Sequence, residues 1–160
     1  MRLIAAAIGL LFLTSIAVAQ GISVYENQRF GYAIAVPEGF EGRGESDNGD
    51  GQVFKSADGT QTLRVYGGFN TESFAATLRA GMGFARDAGW TLSYTRVRDA
   101  WAVYSGNRGK RILYARCIRL CGGDAFASYE LDYPTADRED MDAVIQELNM
   151  SLVSTGSGCL

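Results

Sequence analysis

The 160-residue chain reads as an α+β protein: an antiparallel sheet carrying two packed helices. Three observations predict this. Short runs rich in Val, Ile, Tyr and Phe recur between glycine-rich breaks, which is the pattern of strands joined by tight turns. Two longer stretches instead repeat apolar residues every three or four positions, the period of a helix with one buried face. The strand runs follow each other directly, and directly connected strands pair antiparallel.

In chain order, the first element is not part of that domain. MRLIAAAIGLLFLTSIAVAQ has a basic Arg2, an apolar run from Leu3 to Leu13 and a small-x-small Ala17-Val18-Ala19. This is the form of a signal peptide over residues 1–19, cleaved so that the mature chain begins at Gln20. Residues 20–153 are then expected to form a single α+β domain, long enough for one core and too short for two ordinary ones. Residues 154–160, Ser-Thr-Gly-Ser-Gly-Cys-Leu, read as a flexible tail.

Ile22 to Phe30 is an extended lead-in. Tyr32–Val36 is the first strand, closed by Pro37-Glu38-Gly39. Phe40 to Gly51 reads as loop, because four glycines fall in it and few apolar residues do. Its Asp47-Asn48-Gly49-Asp50-Gly51 hints at calcium, but glycine and the acids fall at the wrong positions for an EF-hand loop, and a solvated turn is the better reading. Gln52–Lys55 and Thr62–Tyr66 form a hairpin across Asp58-Gly59. Thr71 can cap a helix whose stripe is Phe74, Leu78, Met82 and Ala85. Trp90–Val97 is the next strand. Trp101–Tyr133 is a three-strand meander. After Pro134, with Thr135 as cap, Met141, Val144, Ile145, Leu148 and Leu152 mark the second helix. The predicted order is β-β-β-α-β-β-β-β-α.

That layout resembles the PsbP-like family. The resemblance rests on Phe30-Gly31-Tyr32 leading into a strand that ends Val36-Pro37-Glu38-Gly39-Phe40, on the element order, and on Tyr133-Pro134 opening the terminal helix. It implies the fold and use as a secreted or lumenal accessory or binding domain. It implies no catalytic or ligand residue, since none of these motifs carries chemistry.

Composition excludes several activities. The chain has no histidine, which removes Ser-His-Asp and Cys-His catalysis and His-ligated zinc or haem. Its two lysines, Lys55 and Lys110, do not follow a serine at Ser-x-x-Lys spacing. No cofactor is indicated. The net charge of −3, or −4 once Arg2 is removed, argues against nucleic acid as a partner.

Charge is segregated along the chain. Eight bases and two acids lie between Arg86 and Arg119, and eight acids and one base between Asp124 and Glu147. Pairing across strands is the first reading of this split. Arg96, Arg98, Arg108, Lys110 and Arg111 are the candidate patch for a secreted or envelope protein partner. Glu130 and Asp132, two apart on one strand, share a side and are the candidates for a carboxylate hydrolase. Trp90, Trp101, Tyr94, Tyr104, Tyr114 and Tyr129 either line a groove or fill the core.

The three cysteines are Cys117, Cys121 and Cys159. An exported chain meets oxidising conditions, so a disulfide is expected. A turn over Ile118-Arg119-Leu120 would set Cys117 opposite Cys121, and that pair is the reading adopted. A turn at Gly122-Gly123 would instead leave the two on one strand, roughly 13 Å apart, and send one of them to Cys159. Either way one cysteine is left over, and through it, or through Cys159, the chain would be tethered to another subunit.

Overall fold

The computed structural model describes residues 23–159. The signal peptide reading therefore lies outside the described residues. Five strands precede the first helix: β1 (Ser23–Asn27), β2 (Tyr32–Val36), β3 (Phe40–Glu45), β4 (Gly51–Ser56) and β5 (Thr62–Phe69). Then come α1 (Phe74–Asp87), β6 (Thr91–Val97), β7 (Trp101–Arg108), β8 (Arg111–Leu120), β9 (Ala125–Pro134), α2 (Arg138–Ser151) and a two-residue β10 (Val153–Ser154). The four strands between the helices lie where the sequence puts them.

The expectation of three strands before α1 is corrected. Ser23–Asn27 pairs antiparallel with β2, and Phe40–Glu45 pairs antiparallel with β4. Phe40–Glu45, Phe-Glu-Gly-Arg-Gly-Glu, is an edge strand with an irregular register and five exposed residues. Its pairing comes from the backbone of β4, so it carries no apolar alternation to read. The caps also move. Ser73, not Thr71, accepts from the Ala76 N–H, and Thr135 lies in a short turn before α2, whose cap position is Asp137.

Seven strands form one antiparallel sheet in the order β3-β4-β5-β9-β8-β7-β6. A second sheet, β1-β2-β10, packs beside α2 on one of its faces. The main core lies there. Tyr129, Leu131 and Tyr133 of β9, Leu63 and Val65 of β5, and Ile112, Ile118 and Leu120 of β8 meet Met141, Ile145 and Leu148 of α2 and Tyr32, Ile34 and Val36 of β2. Tyr129 donates to Asn149 Oδ1 at 2.9 Å, and Asn149 Nδ2 donates to the Tyr114 hydroxyl at 3.0 Å. These two bonds fix the roll of α2 over β8 and β9 while satisfying the buried polar atoms.

The opposite face is covered by α1 over part of its width. Phe74 and Leu78 sit on Ala102 and Cys117, and Ala85 sits with Trp90, Tyr104, Leu113 and Ala115. Over β3, β4 and β5 no element among the described residues covers this face. Residues on that side, including Glu41, Arg43, Lys55, Arg64 and Tyr66, are exposed or half-buried, while Phe54, Leu63 and Val65 on the other side are buried.

Two readings of the chain's end are corrected. Cys121 is bonded to Cys159, and Cys117 is free and buried. The glycine turn decides this: β8 runs unbroken to Leu120 and Cys121-Gly122-Gly123 makes the turn. Cys117 is thus four residues back along the strand, out of reach of Cys121. The segment after α2 is also no loose tail. Val153 and Ser154 pair with β2, the Thr155 N–H donates to the Gly31 carbonyl at 2.9 Å, and Cys159 is tied down.

Candidate functional site

The uncovered sheet half meets α1 in a cleft of about 510 Å³. Its helix wall is Ala76, Thr77, Ala80, Gly81 and Phe84, and its floor is Tyr66, Tyr104, Cys117, Phe126 and Ser128. Sequence explains the gap. Large side chains anchor α1 at Phe74 and Leu78 and a small one at Ala85, while Gly81 faces the Tyr104 hydroxyl. Gly68 of β5 lets the Phe126 ring lie across it, since a Cβ there would come 2.8 Å from the ring. Phe69 and Phe84 flank the mouth and are 60% and 74% exposed.

The floor is polar at one spot. Tyr66 and Tyr104 both donate to Glu130 Oε1, at 3.1 and 3.3 Å. Burial pushes both phenols well above their ordinary range. The neighbouring Glu130 charge adds to this at Tyr66, and Tyr66 and then Glu130 add to it at Tyr104. Cys117 is pushed up to about 12 by burial, against a lowering contact from Ser128. It is a neutral thiol and no nucleophile at neutral pH. Both phenols and the thiol are thus held in their neutral forms.

The five basic residues of the predicted patch are not brought together. Arg108, Lys110 and Arg111 flank the β7–β8 turn, whereas Arg96 and Arg98 lie by the β6–β7 turn. The eight-residue β7 separates the two groups by roughly 23 Å. Arg111 Nε bonds Asp132 Oδ1 at 2.6 Å, Arg111 Nη2 bonds the Thr60 carbonyl at 2.8 Å, and Arg108 Nη2 lies 4.0 Å from Asp132 Oδ2. Arg108 also stacks 4.4 Å over Trp90 and donates to the Ala88 carbonyl. Arg96 and Arg116 lie over the Trp101 ring. The charge segregation seen in sequence thus pairs across strands at Asp132, between the basic and acidic stretches.

Glu130 and Asp132 do share a face, but each is engaged: Glu130 with two phenols, Asp132 with two arginines. Of the six aromatics, Tyr104 lines the cleft. Tyr94 and Tyr114 line a second depression of about 460 Å³ on the α2 side. Trp90 and Tyr129 are buried. Sequence reasoning missed Tyr66, Phe69, Phe84 and Phe126. Phe84 was detectable, since it stands off the apolar stripe of its own helix.

No protein-family model and no curated protein matches the sequence. Solved structures do match. Cyanobacterial PsbP (CyanoP) from Synechocystis sp. PCC 6803 superposes with a TM-score of 0.62 at 14% identity, covering 91% of this chain and 99% of that one. The fold is PsbP-like. The Saccharomyces cerevisiae Ran-binding protein Mog1p gives 0.61 at 11% identity, covering 88% and 98%, and a variant of Mog1 gives 0.59 at 12%, covering 84% and 96%. The PsbP-like resemblance read from the sequence is thereby shown at the level of fold. At these identities the likeness carries no residue of function across.

Proposed function

We propose that the chain is a secreted or periplasmic, non-catalytic binding or accessory protein that contacts a protein partner through the uncovered half of its large sheet. The observation that carries this reading is the bare face of β3, β4 and β5. A sheet face that no described residue covers, bearing Arg43, Lys55 and Arg64 beside Glu41, is a docking surface with both signs of charge. Support also comes from the fold: one neighbour bears the description Ran-binding protein. Export rests on the first twenty residues. The hydrolase reading gains nothing from Glu130 and Asp132, which are held by internal partners. A disulfide-tethered subunit is not proposed, because Cys159 is already paired within the chain and Cys117 is buried.

Tagged protein is to be incubated with envelope extract of the native cell, comparing Arg43→Glu/Arg64→Glu with Arg96→Glu/Arg98→Glu. The first pair is expected to lose the retained partner with its melting temperature kept, and the second to keep it. Loss through the second pair alone would move the interface to the β6 edge. Equal retention by both would overturn the reading.

A further inference from the structure

We propose that the cleft beside α1 binds a small organic cation, a primary amine carried on an apolar body. The inference is independent of the partner-binding reading and rests on where the protons of the cleft's hydroxyls go.

Apart from Thr71, which is exposed at the rim, four hydroxyls line the cleft: Tyr66, Tyr104, Thr77 and Ser128. A hydroxyl has one proton to donate and lone pairs to accept with. Each of these protons is committed inside the protein. Tyr66 and Tyr104 donate to the Glu130 carboxylate. Ser128 donates to the Arg116 carbonyl at 2.9 Å. Thr77 donates to Asn70 Oδ1 at 2.6 Å. The Asn70 amide cannot be reversed, because its Nδ2 donates to the carbonyls of Gly123 and Ala125 at 2.8 and 3.1 Å. All four oxygens are left with lone pairs alone. Apart from the weak S–H donor of Cys117 beside Ser128, donors to them come from solvent or from a bound molecule.

The remaining surface favours a positive donor over a neutral one. The phenol oxygens are polarised by hydrogen bonding to a carboxylate. The lining includes the rings of Phe69 and Phe84 at the mouth and of Phe126, Tyr66 and Tyr104 on the floor, and aromatic faces attract cations. The Cys117 thiol is neutral. Among the described residues that line the cleft, the charged ones are Glu72 and Arg79, exposed at the rim and of opposite sign. Arg64, opposite Glu130 on β5, lines the neighbouring depression with Arg43 rather than the cleft. The volume falls within the usual range for small-molecule pockets, about 300–1,000 Å³. Leu78, Phe126 and the open mouth at Phe69 and Phe84 accept the apolar body, and the ammonium meets the acceptor oxygens.

The test is calorimetric titration of the purified protein with 4-phenylbutylamine, 4-phenylbutanol and 4-phenylbutyrate, which share one body and differ in the head group. The amine is expected to bind about tenfold more tightly than the alcohol, and the carboxylate not measurably. Tyr66→Phe/Tyr104→Phe keeps both rings and removes two acceptors, so amine affinity falls to that of the alcohol. Ser128→Ala, which leaves Glu130 and its phenols intact, gives a smaller loss for the amine alone and serves if the double variant does not fold. Phe126→Ala weakens amine and alcohol alike. The proposal is overturned if alcohol or carboxylate binds as tightly as the amine, if no amine binding is seen at millimolar concentration, or if neither acceptor-removing variant that folds changes amine affinity.

Discussion

Asp132 is a buried carboxylate between Arg111 and Arg108, and it decides what the arginines around it are for. Removing Arg111 leaves that charge with only the longer contact to Arg108. Arg111→Ala is therefore expected to cost about 2 kcal/mol in urea unfolding, between the values for exposed and fully buried pairs. Lys110→Ala, one residue away and exposed, should stay within about 0.5 kcal/mol of the parent. Asp58 makes a different kind of contribution, in the β4–β5 turn. Its carboxyl is held at about 2, first by the Ser56 hydroxyl and then by the backbone and side chain of Thr60. A carboxyl lowered on folding stabilises the native state above its unfolded value of about 3.9, and that contribution is lost as pH falls through the folded value. Melting temperatures of the parent and Asp58→Ala should accordingly differ at pH 6 and converge near pH 2. A constant gap down to pH 2 would contradict the assignment.

In α1, the glycines separate two requirements that look alike in sequence. A Cβ at Gly83 would meet nothing within 4 Å, and the residue is helical without a positive φ. Gly83→Ala is expected to stabilise the protein by up to about 1 kcal/mol, measured by denaturant unfolding. Gly106 in β7 is the opposite case. A Cβ there runs into the backbone carbonyl of Thr91 on the paired strand β6, so Gly106→Ala should destabilise and disturb the edge pairing. The same contrast explains which elements could be read in advance. Strands with an apolar side facing the core, such as Thr62–Tyr66 or the meander, announce themselves by alternation. β3 is exposed and glycine-rich, so only its partner strand makes it a strand.

Across the whole molecule, the Cys121–Cys159 bond closes a segment with a sequence separation of 38 that contains β9 and α2. Loop-closure entropy for such a segment is worth about 4 kcal/mol. Cys159→Ser should lower stability by a comparable amount and free the β10 pairing with β2. Thiol counting on unreduced protein should find one reactive group after denaturation and none before, since Cys117 is 4% exposed. Three thiols after denaturation would contradict the bond. A dimer on non-reducing gels that disappears on reduction would contradict the intramolecular pairing.

The sequence by itself determined the α+β class, both helices, the meander and the absence of histidine chemistry, because periodicity and composition are local properties. It also carried the same-side placement of Glu130 and Asp132, a direct result of the two-residue strand period. What only the tertiary structure decided are the relations between distant segments. Tyr66, Thr77, Tyr104 and Ser128 come from four different elements, and nothing in their spacing shows that they meet around one cleft. The five basic residues do not form one cluster for the converse reason: close in sequence, they lie at the two ends of β7. The cysteine pairing turned on one choice of turn, where the backbone freedom of Gly122 and Gly123 prevailed over the requirement to bring two nearby thiols together.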